Sequence, residues 1–137
     1  MANEVTKLID RSITEVNLDS DVTVIGQKAF SNCYSLTSVT IPDSVTSISN
    51  QAFFDCYSLA SLTIPDSVTS IGTAAFSNCS SLTSVIVNAT TPPTLSGGNV
   101  FNNTNECPIY VPAASVDTYK SASRWRTYAS RIQAIPS

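Results

Sequence analysis

At 137 residues, 42% hydrophobic and only 12% charged against an average of about 25%, the chain can form one compact domain or a short repeat array whose polar surface comes from Ser, Thr and Asn. All ten acidic residues lie before Tyr119 beside only Lys7, Arg11 and Lys28, while Lys120, Arg124, Arg126 and Arg131 follow without an acid; four cations on a chain of net charge −3 make a poor phosphate track, which argues against nucleic acid as a partner. No run of about 18 apolar residues and no secretory h-region occurs, so a soluble chain without membrane insertion is expected.

Residues 1–7 are polar and read as a loosely held leading segment. Residues 8–24 read as a divergent, capping repeat: Ile13-Thr-Glu-Val16-Asn-Leu18 aligns with Leu36-Thr-Ser-Val39-Thr-Ile41. In that alignment the later Phe and Cys positions become Lys7 and Asp10, polar residues suited to an end unit facing water.

Residues 25–93 then state one sentence three times, at 25–47, 48–70 and 71–93. Phe30, Phe53 and Phe76 recur at a period of 23 residues, as do Cys33, Cys56 and Cys79, Leu36, Leu59 and Leu82, and Ile41, Ile64 and Val87. A fixed period in this range signals a stacked repeat architecture, in which one unit cannot bury its apolar side alone. Within each unit, Leu-x-x-Val-x-Ile alternates with period two and reads as a short strand with one buried face. Pro42 and Pro65 end that strand, and the following Asp-Ser makes a turn. Val45-Thr-Ser-Ile48 is a second extended piece, and Ala-Phe-x-x-Cys is expected to turn the chain back as one helical or 3₁₀ turn. Stacking at roughly 4.8 Å per strand would form columns of like residues, each buried Phe worth on the order of 1.5–3 kcal/mol.

The Leu-x-x-Val-x-Ile strand, with the wording Ile-Pro-x-Ser-Val-Thr-x-Ile-Gly and Ala-Phe-x-x-Cys, resembles the BspA-like (Treponema-pallidum-type) class of leucine-rich repeats across nearly the whole chain. Ser49 departs from the Gly present at Gly26 and Gly72, so that turn is expected to differ, and the third unit loses Pro-Asp-Ser after Val87. The resemblance implies an α/β, mainly β, right-handed leucine-rich-repeat solenoid of 23-residue units with a small helical C-terminal cap.

After Val87, NATTPPTLSGGN reads as a loop. Residues 94–112 read as a degenerate last repeat, since Val100-Phe101 and Cys107 to Val111 echo the unit one residue out of step. Strand ends would then fall at Leu18, Ile41, Ile64, Val87 and Val111. Residues 113–137 change period: Val116, Tyr119, Trp125, Tyr128 and Ile132 recur at three- and four-residue steps, giving two short helices with a Ser-Arg break, and Pro112 and Ser115 as start signals. Such an amphipathic segment can cover the open edge and core that the last strand leaves.

The chemistry is sparse. With no histidine, Ser-His-Asp and Cys-His catalysis are excluded. The cysteines lie too far apart in sequence for a zinc set, so no metal and no cofactor is expected. Three of them read as buried free thiols in a packed column, and Cys107 as semi-exposed. Asp43 and Asp66 could imitate a glycosidase pair, but a repeated turn explains them better. No enzyme is expected.

Between the inward strand residues, Glu15 and Asn17, Ser38 and Thr40, Ser61 and Thr63, and Ser84 and Ile86 face outward, with Tyr34 and Tyr57 in the turn before the strand. The resemblance implies that this strand face is the concave, recognition-prone one. It implies a non-catalytic module that binds a protein or glycan in bacterial adhesion, at a cell surface or outside the cell, and a monomer is expected. An alternative is a phage or prophage virion component, since Leu8-Ile-Asp-Arg-Ser-Ile-Thr-Glu is similar to the start of short proteins of this class in such settings.

Overall fold

The computed structural model describes residues 11–136 and the backbone of Glu4–Val5. Its strands in chain order are β1 (Glu4–Val5), β2 (Glu15–Asn17), β3 (Val24–Ile25), β4 (Ser38–Thr40), β5 (Ser47–Ile48) and β6 (Ser61–Ile64). They continue as β7 (Ser70–Ile71), β8 (Ser84–Val87), β9 (Thr94–Leu95) and β10 (Ile109–Val111), then the helix α1 (Val116–Ser121) and β11 (Ile132–Ala134). Every pairing is parallel. One sheet runs β1-β3-β5-β7-β9; the other file runs β2-β4 and then β6-β8-β10-β11. Equivalent residues of neighbouring coils face each other, as in Ser47 with Ser70 and Ser61 with Ser84, so the side-chain alternation is carried unchanged from coil to coil.

The leading segment is therefore not simply loose polar chain: Glu4 and Val5 pair in register with Val24 and Ile25. The expected positions Lys7 and Asp10 lie outside the described residues. The expected loop after Val87 also contains a strand, since Thr94 and Leu95 pair with Ser70 and Ile71. The strand ends expected at Ile64, Val87 and Val111 are met, and those near Leu18 and Ile41 fall one residue earlier.

Inward residues stack into columns. Phe30, Phe53, Phe76 and Phe101 lie nearly parallel at centroid spacings of 5.3, 5.4 and 5.8 Å. The thiols of Cys56 and Cys79 donate to the Phe30 and Phe53 carbonyls of the preceding coil at 3.2 and 3.3 Å. All four cysteines are free and buried. Cys107 is buried too, which corrects its expected exposure: Arg131 covers it, with Nη2 3.5 Å from the sulfur.

The Ala-Phe-x-x-Cys stretch is not helical. Every second N–H there leaves the coil: Lys28, Phe30 and Asn32 donate to the carbonyls of Asn50, Ala52 and Phe54, at 3.1, 2.8 and 2.7 Å. Gln51, Phe53 and Asp55 repeat this toward Thr73, Ala75 and Ser77. The N–H groups between them close turns within the coil, as Ala29 to Gly26 and Ser31 to Lys28. A helix would use all these donors internally and leave the next coil's carbonyls without partners. The alternation requires left-handed backbone at paired positions, Lys28 with Asn32, Gln51 with Asp55 and Ala74 with Asn78. Asn and Asp tolerate that conformation, whereas an ordinary side chain such as Ala74 carries a cost of roughly 1–2 kcal/mol.

Ser49 makes the same turn as its glycine counterparts: Ala52 donates to Ser49 at 3.3 Å as Ala75 does to Gly72. Glycine at 72 answers a different need. A Cβ there would stand 2.4 Å from the Asn50 nitrogen, while no glycine in the described residues has positive φ.

Hydroxyls tie the coils together. Thr37, Thr46, Thr69 and Thr83 each place both the backbone N–H and the side-chain hydroxyl on one carbonyl of the preceding coil, at 2.8–2.9 Å and 3.0–3.2 Å. Ser44 and Ser58 reach the Val22 and Tyr34 carbonyls at 2.6 Å. In the file from Thr37 to Thr83 one staple is missing. Position 60 is Ala, so only its N–H reaches the Thr37 carbonyl, at 3.2 Å, and β4 and β6 form no continuous ladder.

The C-terminal segment contains α1 and a 3₁₀ stretch, Trp125–Arg131, joined through Arg124 at φ 65, which is the expected break. Pro112 and Ser115 stand at the two N-cap positions as expected, but Ser115 makes no capping bond, and its hydroxyl donates to the Thr90 carbonyl at 2.7 Å. Tyr119 reaches Ala89 at 2.5 Å, Trp125 reaches Pro93 at 2.7 Å and Arg124 reaches Leu95 at 3.1 Å. Trp125 and Tyr128 also close the Phe column, 5.7 and 5.5 Å from the Phe101 ring. Arg131 is buried and donates to the Cys107 and Phe101 carbonyls and the Thr104 hydroxyl. The expected helical cap then ends in a strand, because Ile132, Gln133 and Ala134 pair with Ile109, Tyr110 and Val111.

Candidate binding face

Strand alternation turns one side chain inward and the next outward, so the outward residues of successive coils form files. Glu15 pairs with Ser38 and Asn17 with Thr40; beyond the ladder break, Ser61 pairs with Ser84 and Thr63 with Ile86. Glu15, Asn17, Thr40, Ser61 and Thr63 are exposed, and Ser38, Ser84 and Ile86 are half-buried. The first rung is tied to itself, with the Asn17 amide donating to Glu15 at 2.7 Å. The next five hydroxyls, on Ser38, Thr40, Ser61, Thr63 and Ser84, make no intramolecular hydrogen bond among the described residues. That separates them from the stapling hydroxyls of the turns.

The file continues beyond Ile86. Ile86 pairs with Tyr110, and Tyr110 with Gln133. The signal for Tyr110 was its place between Ile109 and Val111, as Ile86 lies between Val85 and Val87. Gln133 gave none, because its strand follows a stretch of helical period.

Tyr34 and Tyr57 stack at 5.1 Å with 6° between their planes. At 52% and 43% exposure they are the large hydrophobic side chains left open to solvent among the described residues. Desolvation of the ring, the charge of Asp55 and the neighbouring Tyr34 push the Tyr57 phenol above its ordinary value. The Asp55 carboxylate accepts from the Asn78 amide at 2.8 Å, and Asn78 in turn accepts from Asn103 at 2.8 Å.

A cleft of about 420 Å³ opens on the other flank, between the 66–69 turn and the 88–94 loop. Asp66 lines it and Asp43 does not, so the two carboxylates are not gathered around it. Among the described residues no group of three or more His, Cys, Asp or Glu is placed to hold a metal ion, and no helix is long and apolar enough to cross a membrane.

The family model for the BspA-type leucine-rich-repeat region matches residues 8–123, in six copies. Among solved structures, a T. pallidum leucine-rich-repeat protein is similar at 34% identity and a TM-score of 0.67, over 77% of this chain and 48% of that one. A leucine-rich cell surface protein of Faecalibacterium prausnitzii A2-165 is similar at 26% identity and a TM-score of 0.56, over 76% of this chain and 37% of that one. The chain thus spans about half or less of the solved chains it matches. No curated protein sequence matches. Leucine-rich-repeat domains of this kind generally serve as non-catalytic binding modules.

Proposed function

We propose, from the premise that this chain belongs to the BspA-type leucine-rich-repeat family, that it is a recognition module for a protein or glycan in bacterial surface adhesion. Its ligand lies along the outward files from Glu15 to Ile86, flanked by Tyr34 and Tyr57 and extended by Tyr110. One observation carries the reading. The five hydroxyls of this face make no intramolecular hydrogen bond among the described residues, whereas Thr37, Thr46, Thr69, Thr83, Ser44 and Ser58 use theirs to join coils. Unpaired donors and acceptors beside exposed Tyr rings are the means by which adaptable polar surfaces bind. The cell-surface description of the Faecalibacterium protein supports the setting. Residues 1–24, 25–93, 94–112 and 113–137 form a first capping repeat, three full repeats, a last degenerate repeat and the cap, acting as a monomer.

The test is a pull-down with labelled protein against matrix proteins, mucin and intact bacterial cells, beside a Thr40→Arg/Thr63→Arg variant. Capture of matrix proteins or mucin that the variant loses is the expected result. Capture by bacterial envelopes alone would favour a virion role, and capture unaffected by the variant would move the site off this face.

A further inference from the structure

We propose that Tyr57 and Asp55, with the space over Ser80, form a site for a guanidinium group, so that the partner of the binding face is a polypeptide presenting an arginine. The inference rests on the binding-face reading and names the chemistry at its edge. Tyr34 and Tyr57 occupy equivalent positions of successive coils, and the next such position is Ser80, exposed and without a ring. Tyr34 covers one face of the Tyr57 ring at 5.1 Å, and no ring stacks on the other among the described residues. A flat group laid over Ser80 continues the stack by one step.

Asp55 gives that step its charge preference. Asn78 holds the carboxylate by Oδ1, and the Tyr57 phenol bears on the same carboxylate, so an incoming donor would share it at the rim of the ring. The same carboxylate is near enough to contribute to the raised phenol of Tyr57, after the larger effect of ring desolvation. A planar cation over an aromatic face with a carboxylate at its rim suits guanidinium, which stacks and donates as a fork; an ammonium is compact and strongly hydrated. The chain makes this pairing once for itself, with the Arg131 guanidinium carbon 5.6 Å from the Tyr128 ring centroid. The excess of ten acids over three bases before Lys120 also draws a cationic segment toward this part of the chain.

The test measures binding of three probes by fluorescence anisotropy: labelled hexapeptides alternating Ser with Arg or Ser with Lys, and labelled chitohexaose as a neutral glycan. The Arg peptide is expected to bind about tenfold tighter than the Lys peptide. Ser80→Tyr extends the stack over the open face, and Asp55→Asn keeps a residue that tolerates left-handed backbone. Each is expected to weaken the Arg peptide about tenfold with the melting temperature held. Equal binding of the two peptides, or Arg binding indifferent to both substitutions, overturns the inference. If such binding is still lost in Thr40→Arg/Thr63→Arg, the face survives without its arginine site. Binding of the glycan alone overturns the inference in favour of a saccharide, and binding of none overturns it together with the face.

Discussion

In the body of the molecule each coil is tied to the next by many small, repeated links: a Phe ring, a thiol, Thr staples and alternate backbone donors. In the C-terminal segment the links are long side chains that each act once. Tyr119, Arg124, Trp125 and Arg131 reach carbonyls of the last coils, and each makes a contact without a copy elsewhere. Repetition spreads the load, so one lost link in the body leaves its equivalents above and below. The cap has no such reserve.

The largest effect that would test this contrast comes from the body's heaviest column. Phe53→Ala empties a position stacked on both sides, and is expected to cost about 3–5 kcal/mol in denaturant unfolding. A loss below about 1 kcal/mol would mean that the column does not hold the coils together. Arg131→Met comes next, at about 2–3 kcal/mol, because it strands the Cys107 and Phe101 carbonyls. Amide exchange should then quicken in β10 and β11 while β3 to β7 keep their protection; uniform quickening would show cap and body to be one cooperative unit.

Two smaller changes would strengthen the body. Ala60→Thr supplies the absent staple to the Thr37 carbonyl and should add about 0.5–1.5 kcal/mol, with slower exchange of the residue-60 amide as the local readout. No gain there would show that the staples follow the coil spacing and do not set it. Ala74→Gly relieves left-handed strain but frees the unfolded chain, so a gain of about 0.5 kcal/mol in thermal unfolding is expected. A loss would mean that the methyl group packs better than the backbone suffers.

The columns, both extended pieces of each coil and the outward files were legible in the sequence, because a 23-residue period places like residues over like and alternation then assigns their faces. The turn stretch was not. The short span from Ala to Cys suits a single helical turn, and only the demand of the next coil's carbonyls diverts its donors, a demand that local spacing does not display. β11 was hidden for a related reason: Ile132 continues the three- and four-residue steps of the cap, and only the open edge of β10 makes it a strand. On the candidate face, the residue types were readable, but Thr37 and Thr40 look alike in sequence. That one hydroxyl is engaged and the other is free depends on which carbonyl lies within reach.

The missing staple at Ala60 has a mechanical consequence. Inter-coil bonds run along one direction, so tension between the two ends of the molecule opens interfaces singly and begins where resistance is least. The Thr37–Ala60 interface keeps its Phe, thiol, Tyr and Thr46–Thr69 links, so the absent staple lowers one step of the opening, and each released coil would pay out roughly 80 Å of slack chain. Stretched this way, the protein is a sequential extender in which a single alanine lowers one of the steps.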